Sequence, residues 1–372
     1  MIPDHSAAPR LSIDKYVRQR QIELAVDLER KKAVYLDVKF WIILRDIAAG
    51  RRTGSGEIQL LHSLRESVSK GIVFCPVSDS TFAELLKQSD PITRKATARL
   101  IDDLSLGVAI IPFESRVGTE LAHFIYSASN SNNLYPLKHL VWSKLVYVLG
   151  FVHPSQPEFD EESEIALQKQ LFDYMWMIPM SDIIDRIGSA ISPGFTSFEQ
   201  LANVLNAENA KHASELLNFE GAYLAEIQGA IDLFAGTAVD IVGEMFEKRS
   251  GYKGQLSTTE RSAREREFKN LLFAAFKQDT TKDALRTLHM MACMHAFVRS
   301  NKQQQLKAND FFDFRHATAA LGYCDAFFTE RSMRAMISAK HMSLDKRYGC
   351  RVIADVDDAI DYLASVANER FF

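Results

Sequence analysis

Five short apolar runs, three towards the amino end and two towards the carboxyl end, constrain this chain more than any other feature. They are AVYL at 33–36, GIVFCPV at 71–77, GVAIIPF at 107–113, the CDAFFT segment at 324–329 and GCRVI at 349–353. Between them lie stretches with helical spacing, among them SDSTFAELLKQ, ITRKATARLIDDL, FFDFRHATAAL and RSMRAMISA. Runs that are apolar without alternation read as strands buried on both faces, and their regular exchange with helices predicts a parallel sheet with helices on both sides. Ser78 or Ser80 is placed to cap the helix that carries Glu84.

The alternation stops between about 116 and 300, where the pattern is helical and no convincing strand appears. LeuLeu at 216–217, Tyr223, Leu224, Ile227 and Ile231 illustrate the spacing. Segment 151–250 holds five Lys or Arg against seventeen Asp or Glu, while the whole chain of 372 residues carries a net charge of only -4. An acidic helical unit therefore interrupts a mildly basic frame. The expected division is an amino-terminal extension at 1–29, an α/β domain built from 30–115 and 301–372, and an all-α insertion at 116–300.

Bulk charge excludes a polycation that coats nucleic acid, so any such binding must be local. Apolar residues at 47% are enough for a sizeable core. No stretch reaches the roughly 18 apolar residues of a membrane span, and the start lacks a signal-peptide core, so the expectation is a cytoplasmic protein without a membrane partner. Cys75, Cys293, Cys324 and Cys350 form no CxxC pair and read as buried thiols. His289, Cys293 and His295 sit among Leu, Met, Ala and Phe, which suits a buried helix better than a zinc site. No GxGxxG, Walker, HExxH or GxSxG motif is present.

The acids stand in a telling order. Asp37 directly ends the first run, Glu84 lies one turn or so into the helix after the second, and Asp313 is on the helix before CDAFFT, with Asp325 at the start of that strand. In an open parallel sheet the reactive crevice lies beyond the carboxyl ends of the strands, where acids far apart in sequence can meet. Such a cluster is tolerated when a divalent cation neutralises it, and oxygen ligands suit Mg²⁺ or Mn²⁺. An ion so held can activate water and offset charge on a phosphodiester. Any one of these acids, taken alone, is more often a helix cap or dipole partner than a metal ligand.

The segments VYLDVKFWI, VSDSTFAELLKQ, DFFDFRHATAALGYCDAFFTERSM and GCRVIADVDDAIDYL, in this order, resemble the successive motifs of PIN-domain nucleases. The resemblance covers about 30–115 and 305–372, and implies a three-layer α/β/α fold and a metal-dependent endonuclease with RNA as the favoured substrate. It makes Asp37 the central ligand, Glu84 a second acid and Asp313 the third, with Asp310 one turn earlier as an alternate. Where the family carries an acid two residues after the strand's Thr, this chain has Thr329, Glu330 and then Arg331. Either Asp325 or Glu330 would complete the site. His316 could orient a carboxylate or contact substrate, and Arg45, Arg51 and Arg52 could hold phosphates beside the ion.

The insertion's acidity opposes a nucleic-acid platform. Docking of a protein partner, a homodimer contact and restraint of the nuclease are open, and restraint would fit a toxin or antiviral defence effector. The rival expectations are an inactive scaffold of the same fold, which Arg331 favours, and a DNA-directed nuclease.

Overall fold

The computed structural model describes residues 5, 11–129, 134–150, 153–155, 158–187, 196–212, 218–251, 254, 256–301 and 303–369. Helix α1 (Ile13–Leu28) leads into β1 (Lys32–Leu36), which is followed by α2 (Val38–Ala48), α3 (Ser55–Ser69), β2 (Val73–Phe74), α4 (Asp79–Leu86), α5 (Pro91–Ser105), β3 (Val108–Ile110) and α6 (Phe113–Ala128). After β4 (Trp142–Lys144) the described residues hold helices and no further strand until β5 (Ala326–Phe328) and β6 (Arg351–Ile353), and the last of them form the helix Val356–Glu369.

Four strands form a parallel sheet in the order β2-β1-β5-β6. The register pairs Val34 with Ala326 and Leu36 with Phe328, then Ala326 with Arg351 and Phe328 with Ile353. Successive side chains point to opposite faces, and the core divides accordingly. Ala33, Tyr35 and Phe327 join Phe314, Ala317 and Leu321 of the helix Ala308–Tyr323 on one face. Val34, Leu36, Ala326 and Phe328 join Phe40, Leu64, Leu104 and Leu363 on the other. Both faces are covered, which is why β1 reads as an unbroken apolar run. The expected α/β class with a central parallel sheet is the architecture present.

Two expectations about strands need correction. The run at 107–113 does supply β3, but β3 pairs antiparallel with β4, Ile110 facing Trp142. Its link to the second run is a single parallel bridge, Val77 to Ala109. An apolar run records burial, and burial is the same whichever way the neighbour points. The segment 116–300 is also not purely helical, because β4 lies within it. Its three residues are too few to leave a period, and Trp142 is held instead by an edge-to-face contact with Phe74, ring centroids 5.4 Å apart.

The helical segment shares its core with the sheet. Tyr223, Ile227 and Ile231 of the helix Phe219–Ser250, and Leu288, Met290 and Met294 of the helix Arg286–Ser300, belong to the same apolar cluster as Tyr35 and Phe327. Helix α1 likewise buries Ala25 and Leu28 there, while Val17 and Tyr16 pack on Phe172 and Trp176. The expected extension at 1–29 thus contributes a core helix.

One strained position sets a stability test. Leu106, which follows α5, is left-handed at φ 55° and 40% exposed, and Gly107 follows at φ +67°. An L residue there costs roughly 1–2 kcal/mol, against the larger chain entropy a glycine loses on folding. Leu106→Gly is expected to raise unfolding free energy by about 0.5–1 kcal/mol in urea titrations. An unchanged or lower value would show that the Leu side chain supplies compensating contacts.

Candidate functional site

Asp37 follows the last residue of β1 and opens α2, yet its carboxylate does not cap that helix. One oxygen accepts the Thr329 hydroxyl at 2.7 Å. Thr329 follows β5, fully buried, so the two central parallel strands deliver these residues side by side at their carboxyl ends. Asp37 is only 8% exposed.

Glu84 comes from α4, whose start is set by a reciprocal cap between Ser78 and Thr81. That helix packs against Ala308–Tyr323, which carries Asp313 and, one turn later, His316. His316 is buried, with Nε2 2.7 Å from Glu84 Oε2 and Nδ1 2.6 Å from the Tyr35 hydroxyl. Tyr35 in turn lies 2.7 Å from Ser78 Oγ and 3.2 Å from Thr81 Oγ1. Burial opposes charge on the imidazole, but the Tyr35 oxygen, Glu84 and Asp37 outweigh it and hold its pKa well above the usual histidine range. A protonated ring donates to Tyr35 and Glu84 at once, which leaves the Tyr35 hydroxyl to donate to Ser78 or Thr81.

Asp313 is pushed up to about 7. Burial is the largest cause, Asp37 the next, with Glu84 and Asp310 adding to it and His316 opposing. The mutual repulsion places Asp37, Glu84 and Asp313 in one electrostatic neighbourhood at the carboxyl end of the sheet. Asp310 bonds the Lys307 backbone N–H at 2.8 Å as part of a helix cap. Lys87, one turn beyond Glu84, rests its ammonium 3.6 Å from the Phe312 ring centroid. Partial burial lowers its pKa, against the pull of Glu84 and Asp313.

Other expected residues lie elsewhere. Asp325 accepts the Ala33 N–H at 2.8 Å and pairs with Lys32 at 3.5 Å, so it locks the amino ends of β5 and β1 together. Ala33 and Asp37 are four residues apart on β1, about 13 Å at roughly 3.3 Å per residue, which removes Asp325 from the Asp37 cluster. Arg45 is buried against Asp46 at 2.9 Å, Arg51 joins the same carboxylate at 2.8 Å, and Arg52 pairs with Glu57 at 2.6 Å. Arg45 is thus buried in an ion pair, while Arg51 and Arg52 are exposed and each paired with a carboxylate.

Glu330 opens the helix Arg331–Ile337 without capping it and is exposed. It lines a groove of about 500 Å³ with Lys39, Arg52, Glu57, Arg331 and Asp355. Arg331, standing where the resemblance expects an acid, is bonded to Asp355 just beyond β6. Asp355 was not among the sequence candidates, although it follows the apolar VIA run as Asp37 follows VYL. Tyr35 was missed as well, and its signal is a hydroxyl inside a doubly buried strand, which must find a partner.

The oxygen donors present suit a hard divalent cation. Among the described residues, however, no group of three or more His, Cys, Asp or Glu side chains is arranged to hold a metal ion. Glu84 is bonded to His316 and one Asp37 oxygen to Thr329, which accounts for part of that result. His289, buried on the helix Arg286–Ser300, pairs with the Tyr223 hydroxyl of the helix Phe219–Ser250 at 2.8 Å. Among the described residues no helix is long and apolar enough to cross a membrane. Comparisons with family models, curated proteins and solved structures return no match.

Proposed function

We propose that this chain is a PIN-like, metal-dependent endonuclease, and that Asp37 and Asp313 would hold a Mg²⁺ or Mn²⁺ ion at the carboxyl end of the parallel sheet. The observation that carries the reading is the placement of Asp37, bonded to Thr329, at the carboxyl ends of the two central parallel strands, where burial and Asp37 push the Asp313 carboxyl up to about 7. A buried acid and a half-buried one that repel each other are the arrangement a divalent ion relieves. Such an ion would offset charge on the phosphoryl oxygens of a phosphodiester. Thr329 orients Asp37, and His316 orients Glu84. Lys87 adds a positive charge beside Glu84 and Asp313. RNA is the substrate that the sequence resemblance favours, and a protein partner for the helical segment belongs to the same proposal.

Cleavage of end-labelled single-stranded RNA and DNA with Mg²⁺, Mn²⁺ or EDTA tests the reading. Cleavage that needs the ion and prefers RNA supports it. Inactivity with every ion and both substrates favours the scaffold reading, for which the Arg331 pairing with Asp355 is the specific support.

A pH dependence follows from Asp313. Its folded pKa lies above its ordinary value near 3.8, so the stability it contributes in the ion-free protein is full below that value and is lost as pH rises through about 7. Ion binding has the opposite sense, because the carboxylate form is needed. Mn²⁺ affinity is expected to rise close to tenfold per pH unit below about 7 and then level, with a proton released on binding. Calorimetry in two buffers of different ionisation enthalpy reads the proton, and Asp313→Asn should abolish it.

A further inference from the structure

We infer that a cavity of about 550 Å³ between α1, the turn after α5, β4 and the segment 176–179 is a binding site for an organic monoanion, a carboxylate carried on an apolar body. Its lining holds none of Asp37, Glu84 and Asp313, so the inference stands apart from the nuclease reading.

Lys144 is the anchor. It ends β4 opposite Val108, which sets its side chain against the turn between α5 and β3, where Nζ donates to the Leu106 carbonyl at 2.6 Å. No acid offsets that ammonium: burial pushes it down to about 8, and Lys31 and Arg20 push it the same way. A half-buried cation whose company is a carbonyl and two further cations is short of an anion. Arg20, from α1, lines the same cavity. It bonds Glu23 at 2.7 Å, while its Nε is buried without a hydrogen bond, 3.7 Å from Asp173.

The rest of the wall decides what else the ligand carries. Leu24, Leu106, Trp176 and Ile178 supply apolar surface, and the volume falls in the range of about 300–1,000 Å³ that takes small organic molecules rather than a bare ion. Acids hold the ligand's charge to one. Asp102 lines the cavity with both oxygens already spent on the Met180 and Ser181 N–H groups, at 2.6 and 3.0 Å, and Asp27 lines it from α1. A second negative charge would be repelled by both. The left-handed backbone at Leu106 also finds a use here, because the turn supplies the carbonyl that holds Lys144 and a side chain to the cavity.

Calorimetry of the full chain with indole-3-propionate, its amide, octanoate and inorganic phosphate tests the site. Both carboxylates should bind at one per chain with a Kd of about 1 mM or tighter, the amide about tenfold or more weaker than its acid, and phosphate not measurably. Lys144→Met should lower the affinity for indole-3-propionate about tenfold or more, to that of the amide. Leu106→Gly, which keeps both cations, should lower it only about threefold.

Should Lys144→Met fail to fold, acetic anhydride labelling of the wild type reads the same contact. Indole-3-propionate at about five times its Kd should slow acetylation of Lys144 about fivefold and leave exposed Lys340 unchanged. No binding of either carboxylate, an amide or phosphate as tight as the acids, undiminished binding by Lys144→Met, or a Lys144 that the ligand does not protect overturns the inference.

Discussion

Asp37→Asn is expected to leave the protein folded while lowering the ion-dependent RNA cleavage proposed above at least about a hundredfold, because loss of the proposed ligand carboxylate would remove several kcal/mol of charge stabilisation at about 1.4 kcal/mol per tenfold. The substitution is close to isosteric, and its amide oxygen can still accept the Thr329 hydroxyl that Asp37 accepts at 2.7 Å. It also removes the charge that, after burial, contributes most to raising Asp313. The Asp313 carboxyl should therefore fall towards its ordinary range, and thermal stability at neutral pH should hold or rise. Gel assays with Mn²⁺ and thermal melts of wild type and variant measure both effects. Equal cleavage by the two proteins would mean that any activity arises at another centre.

The second large effect is structural. Glu120 on α6 is fully buried, accepting the Thr287 backbone N–H at 3.0 Å and the Tyr323 hydroxyl at 2.6 Å. Thr287 opens the helix Arg286–Ser300, and Tyr323 ends the helix that carries Asp313 and His316. Arg116, one turn before Glu120 and equally buried, bonds the Ile111 carbonyl and the Thr318 hydroxyl, each at 3.1 Å. Three helices meet on this polar joint inside an apolar surround.

Burial pushes the Glu120 carboxyl up, while Thr287, Tyr323 and Arg116 pull it back. Glu120→Ala leaves the Thr287 backbone N–H, the Thr287 hydroxyl and the Tyr323 hydroxyl without their buried acceptor, and should cost about 3–5 kcal/mol at roughly 1–3 kcal/mol per stranded group. Glu120→Gln, which keeps an acceptor, should cost less, about 1–3 kcal/mol. Urea unfolding of both variants is the measurement. A loss below about 1 kcal/mol for Glu120→Ala would mean that apolar contact alone holds the joint.

Much of the frame was readable along the chain. The runs at β1, β5 and β6 are buried on both faces, so they carry no polar alternation and stand out from the helices around them. The helix with Asp313 and His316, the helix with Glu84 and the cap at Ser78 follow from equally local rules. Asp325 shows where such rules stop. Its place at the start of a strand was legible, and a parallel sheet puts that start at the end away from Asp37, but its partner, the Ala33 N–H of β1, was not legible because it depends on which strand lies alongside and in what register. The same gap explains β3, whose burial was legible and whose antiparallel partner was not.

What the sequence by itself determined is therefore the inventory: the buried strands, the helices between them, and an acid at the end of the first strand. Periods of 2 and 3.6 residues record which side of a segment meets apolar matter, and that record is local. Only the tertiary structure decided the partnerships. Glu84 turns to His316 across 232 residues, Arg45 and Arg51 share Asp46, and Arg331 takes Asp355. The choice of partner depends on distances of a few ångströms between groups that no sequence period connects, and on the cost of leaving any buried polar group unmatched.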